Sequence, residues 1–196
     1  MSEINATDQQ STQTLKRILF FGDSLTAGYG LTQQQAFPAL IQQKIDAQKL
    51  PYQVINAGLS GETSSGGKTR IVNLLDQPID IFVLELGIND ILRGITAVDT
   101  VSNLQFIIEF VKIKQPSAKL LLLGMELPSF FTGHILKEFR MIFRQLADKN
   151  NMLFMPFLLH GVAGNSLLNL ADGVHPNAKG YEIIAGNLWP ILKTIL

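Results

Sequence analysis

Arg17-Ile-Leu-Phe-Phe-Gly-Asp-Ser-Leu-Thr-Ala-Gly-Tyr-Gly30 decides how the rest of the chain is read. Its apolar, β-favouring residues Ile18 to Phe21 stop at Gly22, the pattern of a short strand buried on both faces. Asp23 and Ser24 then stand at the carboxyl end of that strand, the edge along which open α/β sheets bind ligands. Gly28 and Gly30 keep the following turn clear of side chains. On this segment alone two readings of Ser24 stay open: an ordinary helix N-cap, where serine is favoured, or a reactive hydroxyl.

Working outward, the chain alternates strand and helix. Phe37, Leu40, Ile41 and Ile45 mark an amphipathic helix ending near Gln48, and Pro51 breaks it. Tyr52 to Asn56 reads as a strand running into Ala57-Gly58-Leu59-Ser60-Gly61, followed by a helix over about 65–75 that Pro78 stops. Ile79 to Leu86 is the strongest strand signal and ends in Gly87-Ile88-Asn89-Asp90. Val101, Leu104, Ile108 and Val111 mark a helix closed by Pro116, and Lys119 to Gly124 a fourth strand. A loop spans 125–133. Ile135, Phe139, Ile142 and Leu146 mark a helix, Met152 to Met155 a fifth strand, and Pro156 to Asp172 an irregular segment. The last helix carries Tyr181, Ile184, Leu188, Leu192 and Ile195 on one face. Such alternation implies a parallel sheet covered by helices on both faces, with right-handed crossovers.

Composition narrows the function classes. The chain has 196 residues, 46% of them apolar, enough for one domain with a substantial core. The 16 basic and 16 acidic residues balance. No basic patch invites nucleic acid, and no polybasic run invites a membrane surface. The lack of cysteine excludes a disulfide framework, a thiolate metal site and a cysteine nucleophile. Residues 1–14 are polar and aperiodic, so they are expected to be a disordered tail ahead of one domain over 15–196. No apolar leader core precedes the fold, so the chain as given is expected to be cytoplasmic, or periplasmic if a leader has been removed. No apolar run reaches membrane-spanning length. Nothing in the sequence fixes the oligomeric state; a monomer is the default expectation.

Parallel strands bring all their carboxyl ends to one rim. Ser24 follows the first strand, Gly58 the second and Asn89 the third, while Asp172 and His175 precede the last helix. A serine hydroxyl becomes a nucleophile when a neighbouring base takes its proton, and imidazole titrates in the right range for that work. Asp172, three residues before His175, can reach back to the ring Nδ1–H and fix its tautomer. Pro176 disfavours helical geometry at His175 and keeps the base outside the last helix. The backbone N–H groups of Ser24 and Gly58 and the Asn89 amide are candidate donors to an oxyanion.

Gly22-Asp-Ser-Leu-Thr-Ala-Gly-Tyr-Gly30, Asn56-Ala-Gly58, Gly87-Ile-Asn-Asp90 and Asp172-Gly-Val-His-Pro176 together resemble the four motif blocks of the GDSL, or SGNH, hydrolases. They stand in family order and cover Phe21 to Pro176. Gly-Glu-Thr-Ser after Ser60 and Leu92-Arg-Gly94 resemble the bacterial arylesterase and thioesterase/lysophospholipase branch. The resemblance implies a three-layer α/β/α sandwich with a five-stranded parallel sheet, of flavodoxin-like kind. It also implies ester or thioester hydrolysis without a cofactor or metal. It assigns Ser24, Asp172 and His175 to catalysis and Ser24, Gly58 and Asn89 to an oxyanion hole. Ile88 stands where this branch often has glycine, so a bulkier pocket floor is expected.

The substrate expected is a small-molecule carboxylic ester of short to medium acyl chain, with thioesters and lysophospholipids in range. An acyl pocket is expected from the two irregular segments, with Leu127, Phe130, Phe131, Phe157, Leu158 and Leu159 near the catalytic edge. Alternatives are a carbohydrate O-deacetylase on the same scaffold and a non-catalytic lipid- or carbohydrate-binding module. A further alternative is an NTPase. Gly61-Glu-Thr-Ser-Ser-Gly-Gly-Lys-Thr69 resembles a phosphate loop, and Ile81-Phe-Val-Leu-Glu85 the acidic strand that would accompany it. That motif needs lysine directly after its second glycine, and Gly67 intervenes. Asp23 and Asp90 read as loop-holding acceptors, Arg93 as structural, and His134 and His160 as non-catalytic.

Overall fold

The computed structural model describes residues 14–125 and 134–196. Its elements run β1 (Lys16–Gly22), α1 (Ser24–Ala27), α2 (Phe37–Ala47), β2 (Tyr52–Gly58), α3 (Ser64–Arg70), β3 (Ile81–Glu85), α4 (Ile88–Leu92), α5 (Ala97–Lys114), β4 (Lys119–Leu123), α6 (His134–Asn150), β5 (Leu153–Met155) and α7 (Ala178–Leu192). The strands form one parallel sheet in the order β2-β1-β3-β4-β5. The winding direction reverses between β1 and β3, and in a doubly wound sheet the ligand crevice opens at that reversal. Ser24 follows β1 and Asn89 follows β3, so the two residues flank it.

Successive side chains of β1 pack on opposite faces, which is why its apolar run is unbroken. Phe20 meets Phe37 of α2 edge to face at 5.5 Å, and Phe37 stacks on Tyr181 of α7 at 6.2 Å. Phe21 lies under the Arg70 guanidinium of α3, 4.1 Å from its ring centre. Helices α2 and α7 thus cover one face, while α3, α5 and α6 pack in series on the other. Thr96 and Asn177 cap α5 and α7 by accepting from Asp99 N–H and Gly180 N–H. No helix among the described residues is long and apolar enough to cross a membrane.

α1 and α4, of 4 and 5 residues, fill the segments directly after β1 and β3. The expected helix over 65–75 ends at Arg70 and gives way to a 3-10 turn. Its consecutive glycines are poor helix formers, and one is required by packing: a Cβ on Gly67 would stand 2.4 Å from Leu86 Cδ1. Gly67 therefore packs a helix onto the sheet and forms no phosphate loop. Leu127, Phe130 and Phe131 lie outside the described residues.

Candidate active site

Ser24 is not the cap of its helix. Asp23 is: its side chain accepts from Leu25 N–H at 3.0 Å, so Ser24 becomes the first residue of α1 with its hydroxyl uncommitted to capping. Ser24 Oγ lies 2.9 Å from His175 Nε2. The Ser24 N–H has no hydrogen-bond acceptor among the described residues. The Tyr181 hydroxyl donates to Leu25 O at 2.9 Å and fixes α1 against α7.

The turn before α7 builds the second half. Asp172 Oδ1 accepts from Val174 N–H at 2.8 Å and His175 N–H at 2.9 Å, a loop stabilised by its own side chain. Gly173 takes the left-handed conformation in the middle of it, φ 71°. Asp172 Oδ2 faces His175 Nδ1 at 2.8 Å. With the proton on Nδ1, Nε2 is left to accept from the Ser24 hydroxyl. The His175 N–H bond, then those from Val174 N–H and the His175 ring, lower the Asp172 carboxyl to about 2. Leu170 N–H donates to His175 O at 2.7 Å, and the Tyr29 ring packs on the imidazole at 4.6 Å.

Gly58 and Asn89 reach the same rim with prior engagements. Gly58 is required by close approach, since a Cβ there would lie 2.2 Å from Ala27 N. Its N–H donates to Asn56 Oδ1 at 2.9 Å. Asn89 lies inside α4 and does not cap it; Gly87, at φ 130°, holds the cap position. The Asn89 amide donates to Asp23 Oδ2 and to Glu62 O, both at 3.0 Å. Of the three expected oxyanion donors, Ser24 N–H alone has no acceptor among the described residues.

A cavity of about 390 Å³ opens over Ser24, Asn89 and His175. Its walls are mostly apolar: Leu25, Ile88, Leu92, Phe157, Leu159, Ala163 and Val174. Leu158, expected in this wall, is instead fully buried: the Leu158 N–H pairs with Gly124 O, and the side chain enters the core. Leu92, Ala163 and Val174 escape the sequence reading because a lone apolar residue in a turn has no periodic signature. His160 lines a different groove, beside α7. Asp90 is buried and holds Ser64 of α3 and Thr100 of α5, and Arg93 donates to Gly61 O at 2.7 Å. Among the described residues no group of three or more His, Asp or Glu side chains is arranged to hold a metal.

Residues 20–183 match the GDSL-like lipase/acylhydrolase family. The chain is 36% identical over 191 residues to esterase TesA of Pseudomonas aeruginosa, covering 97% of this chain and 92% of that one. It is 34% identical over 169 residues to thioesterase 1/protease 1/lysophospholipase L1 of Escherichia coli, covering 86% and 79%. A crystal structure of the psychrotrophic esterase EstA from Pseudoalteromonas sp., inhibited by monoethylphosphonate, superposes with a TM-score of 0.84 at 33% identity, covering 91% of this chain and 97% of that one. The match runs from β1, through the serine and the Asp172–His175 turn, into α7, and the chain belongs to the GDSL-like lipase/acylhydrolase family.

Proposed function

We propose that the protein is a serine esterase acting through an acyl-enzyme on Ser24, with His175 as general base and Asp172 as its orienter. The observation that carries the reading is the unbroken chain Ser24 Oγ–His175 Nε2–His175 Nδ1–Asp172 Oδ2, at 2.9 and 2.8 Å. Nε2 takes the hydroxyl proton as Oγ attacks the ester carbonyl, and the carbonyl electron pair moves onto oxygen. The imidazolium, stabilised by Asp172, returns the proton to the leaving alcohol or thiol. A water then repeats the sequence on the acyl-enzyme and frees the acid. The oxyanion is held by Ser24 N–H, with Asn89 and Gly58 sharing their N–H groups between it and their present acceptors.

The apolar cavity wall favours an acyl chain over a sugar, which would need polar partners. Short to medium acyl esters fit best, with acyl thioesters and lysophospholipids as the next classes. One observation favours the sugar-acetate alternative: a cleft of about 540 Å³ beside Gly58 is lined by Gln33, Gln42 and Asn56. Gln42 is already committed there, donating to Asp46 and accepting from Val54 N–H. A panel of p-nitrophenyl esters of increasing chain length, run beside acyl-CoA and acetylated sugars, separates the readings. Turnover confined to the sugars would reverse the assignment, and no turnover of any ester would remove it.

A further inference from the structure

The parallel register pairs Gly22 with Glu85 and puts a carboxyl group directly behind the turn that carries Ser24. Position 22 has no room for a side chain, because a Cβ would lie 2.5 Å from Glu85 Oε2 and 2.2 Å from Thr26 Oγ1. Both Glu85 and Asp23 are closed to solvent, at 1% and 0% exposure. Their donors are distributed unevenly. Asp23 Oδ1 accepts from Leu25 N–H and Oδ2 from the Asn89 amide. Glu85 Oε2 accepts from the Thr26 hydroxyl at 2.7 Å and Asp23 N–H at 3.1 Å. Glu85 Oε1 has no donor among the described residues.

The two carboxyls are closed in together, joined by the Asp23 N–H bond to Glu85 Oε2, and like charges so placed favour one proton between them. The orphan oxygen identifies which. A buried, charged carboxylate oxygen with no donor is costly, and a proton on Oε1 removes that charge. Asp23, with donors on both oxygens, is the better seat for the charge.

We propose that Glu85 is a positioning residue of the active site: it remains a neutral acid at working pH and, by accepting from Asp23 N–H and the Thr26 hydroxyl, holds in place Asp23, whose carboxylate anchors the Asn89 amide and caps the helix of Ser24. The role of Asn89 in this statement rests on the esterase reading; the protonation of Glu85 does not. The surroundings agree. Burial, and then the charge of Asp23, push Glu85 well above the carboxylate range. Burial raises Asp23 to about 6, against the pull of Leu25 N–H, Glu85, Asn89 and the positive field of His175. Tyr181 of α7, pushed upward by burial and then by both carboxyls, stays a neutral phenol. On the α3 side the Arg70 guanidinium is engaged by Glu62 and by the Phe21 ring, with Gly22 O at 3.5 Å. The pair thus holds one proton and one negative charge, a pattern that like-charged neighbours impose on carboxyl dyads.

Glu85→Gln and Glu85→Leu test the proposal. The glutamine is neutral, has nearly the same shape and accepts from Asp23 N–H and Thr26 as the parent does. It should keep kcat on a short p-nitrophenyl ester within a few-fold of the parent. The leucine can accept from neither and should lower kcat by about ten- to a hundredfold per folded molecule, with KM little changed, as misplacement of an oxyanion donor would. Equal losses in both variants would mean that the charge of Glu85 is needed, and native turnover in the leucine variant would mean that Glu85 positions nothing; either overturns the proposal. Infrared difference spectroscopy of the parent against Glu85→Gln at neutral pH gives a readout independent of catalysis. A carbonyl band of a protonated carboxylic acid is expected, and a carboxylate band alone would overturn the assignment whether or not Ser24 proves to be the nucleophile.

Discussion

Asn89 Nδ2 lies 3.0 Å from both Asp23 Oδ2 and Glu62 O, so the amide is anchored from two sides in the free protein. Both amide protons already have acceptors, and an oxyanion would share one of them. Because that charge is absent from the bound ester, Asn89→Ala should lower kcat by about 10²–10³ and leave KM nearly unchanged. It also strips a buried donor from Asp23, which should cost about 1–3 kcal/mol of stability. Rate per folded molecule, measured beside the melting temperature, separates the two effects. A variant that melts early yet hydrolyses at the native rate would make Asn89 purely structural.

Asp172 and His175 differ in what their removal should do. His175→Ala should lower kcat by about 10⁶ and Asp172→Asn by about 10⁴, the order seen when other triads are dissected. Since its hydrogen bonds hold Asp172 down to about 2, it stays ionised through the working range. Activity lost on mild acidification is therefore not caused by protonation of Asp172. The depressed carboxyl contributes stability above the ordinary carboxylate range and loses it only as the pH falls towards about 2. Near-native rates in both variants would show that the pairing is not used.

Sequence legibility stopped at definite places. β1, β3 and β4 are nearly unbroken apolar runs, so the sheet and the residues at its carboxyl edge could be read directly. α1 and α4 are shorter than the window over which periodicity is visible, and so Asp23 was not readable as the cap in place of Ser24. The Asp172 to His175 spacing was legible because both groups belong to one turn. The wall residues Leu92, Ala163 and Val174 come together only through folding. Glu85 stands out as a lone charge in an apolar strand, but its partner at Gly22 is set by register, which one strand's sequence does not contain.

On the proposed function, the cavity wall sets acyl length. Ala163 lines the space beside Phe157, Leu159 and Val174, so Ala163→Leu should fill part of it. Turnover of longer p-nitrophenyl esters is expected to fall by about tenfold or more, the scale set by one or a few methylenes in an apolar pocket, while the acetate ester is spared. An unchanged chain-length profile would place the acyl chain elsewhere.

Gly67 offers a stability test away from the chemistry. A Cβ there would meet Leu86 at 2.4 Å and the Phe21 ring at 3.2 Å. Gly67→Ala should destabilise by about 1–3 kcal/mol through overpacking, with turnover per folded molecule unchanged. Denaturant melts give the first quantity, and added nucleotide should leave them unmoved. A stabilised variant would contradict the packing at this position.

Buried carboxyls with raised pKa values favour folding most at low pH. The Asp23–Glu85 pair should therefore lose stability as the pH rises from the ordinary carboxylate range through about 6 and beyond, since the unfolded chain ionises first. Glu85→Gln removes one titrating member and should flatten this decline. Parallel stability curves for the two proteins would show that Glu85 is not protonated in the folded state.

The central claim is that Ser24 is the nucleophile, and covalent labelling tests it most directly. A fluorophosphonate, followed by peptide mass spectrometry, should modify Ser24 alone, in step with the loss of ester hydrolysis, and Ser24→Ala should neither label nor turn over. Modification at another residue with Ser24 untouched, or a fully active Ser24→Ala, would contradict the account.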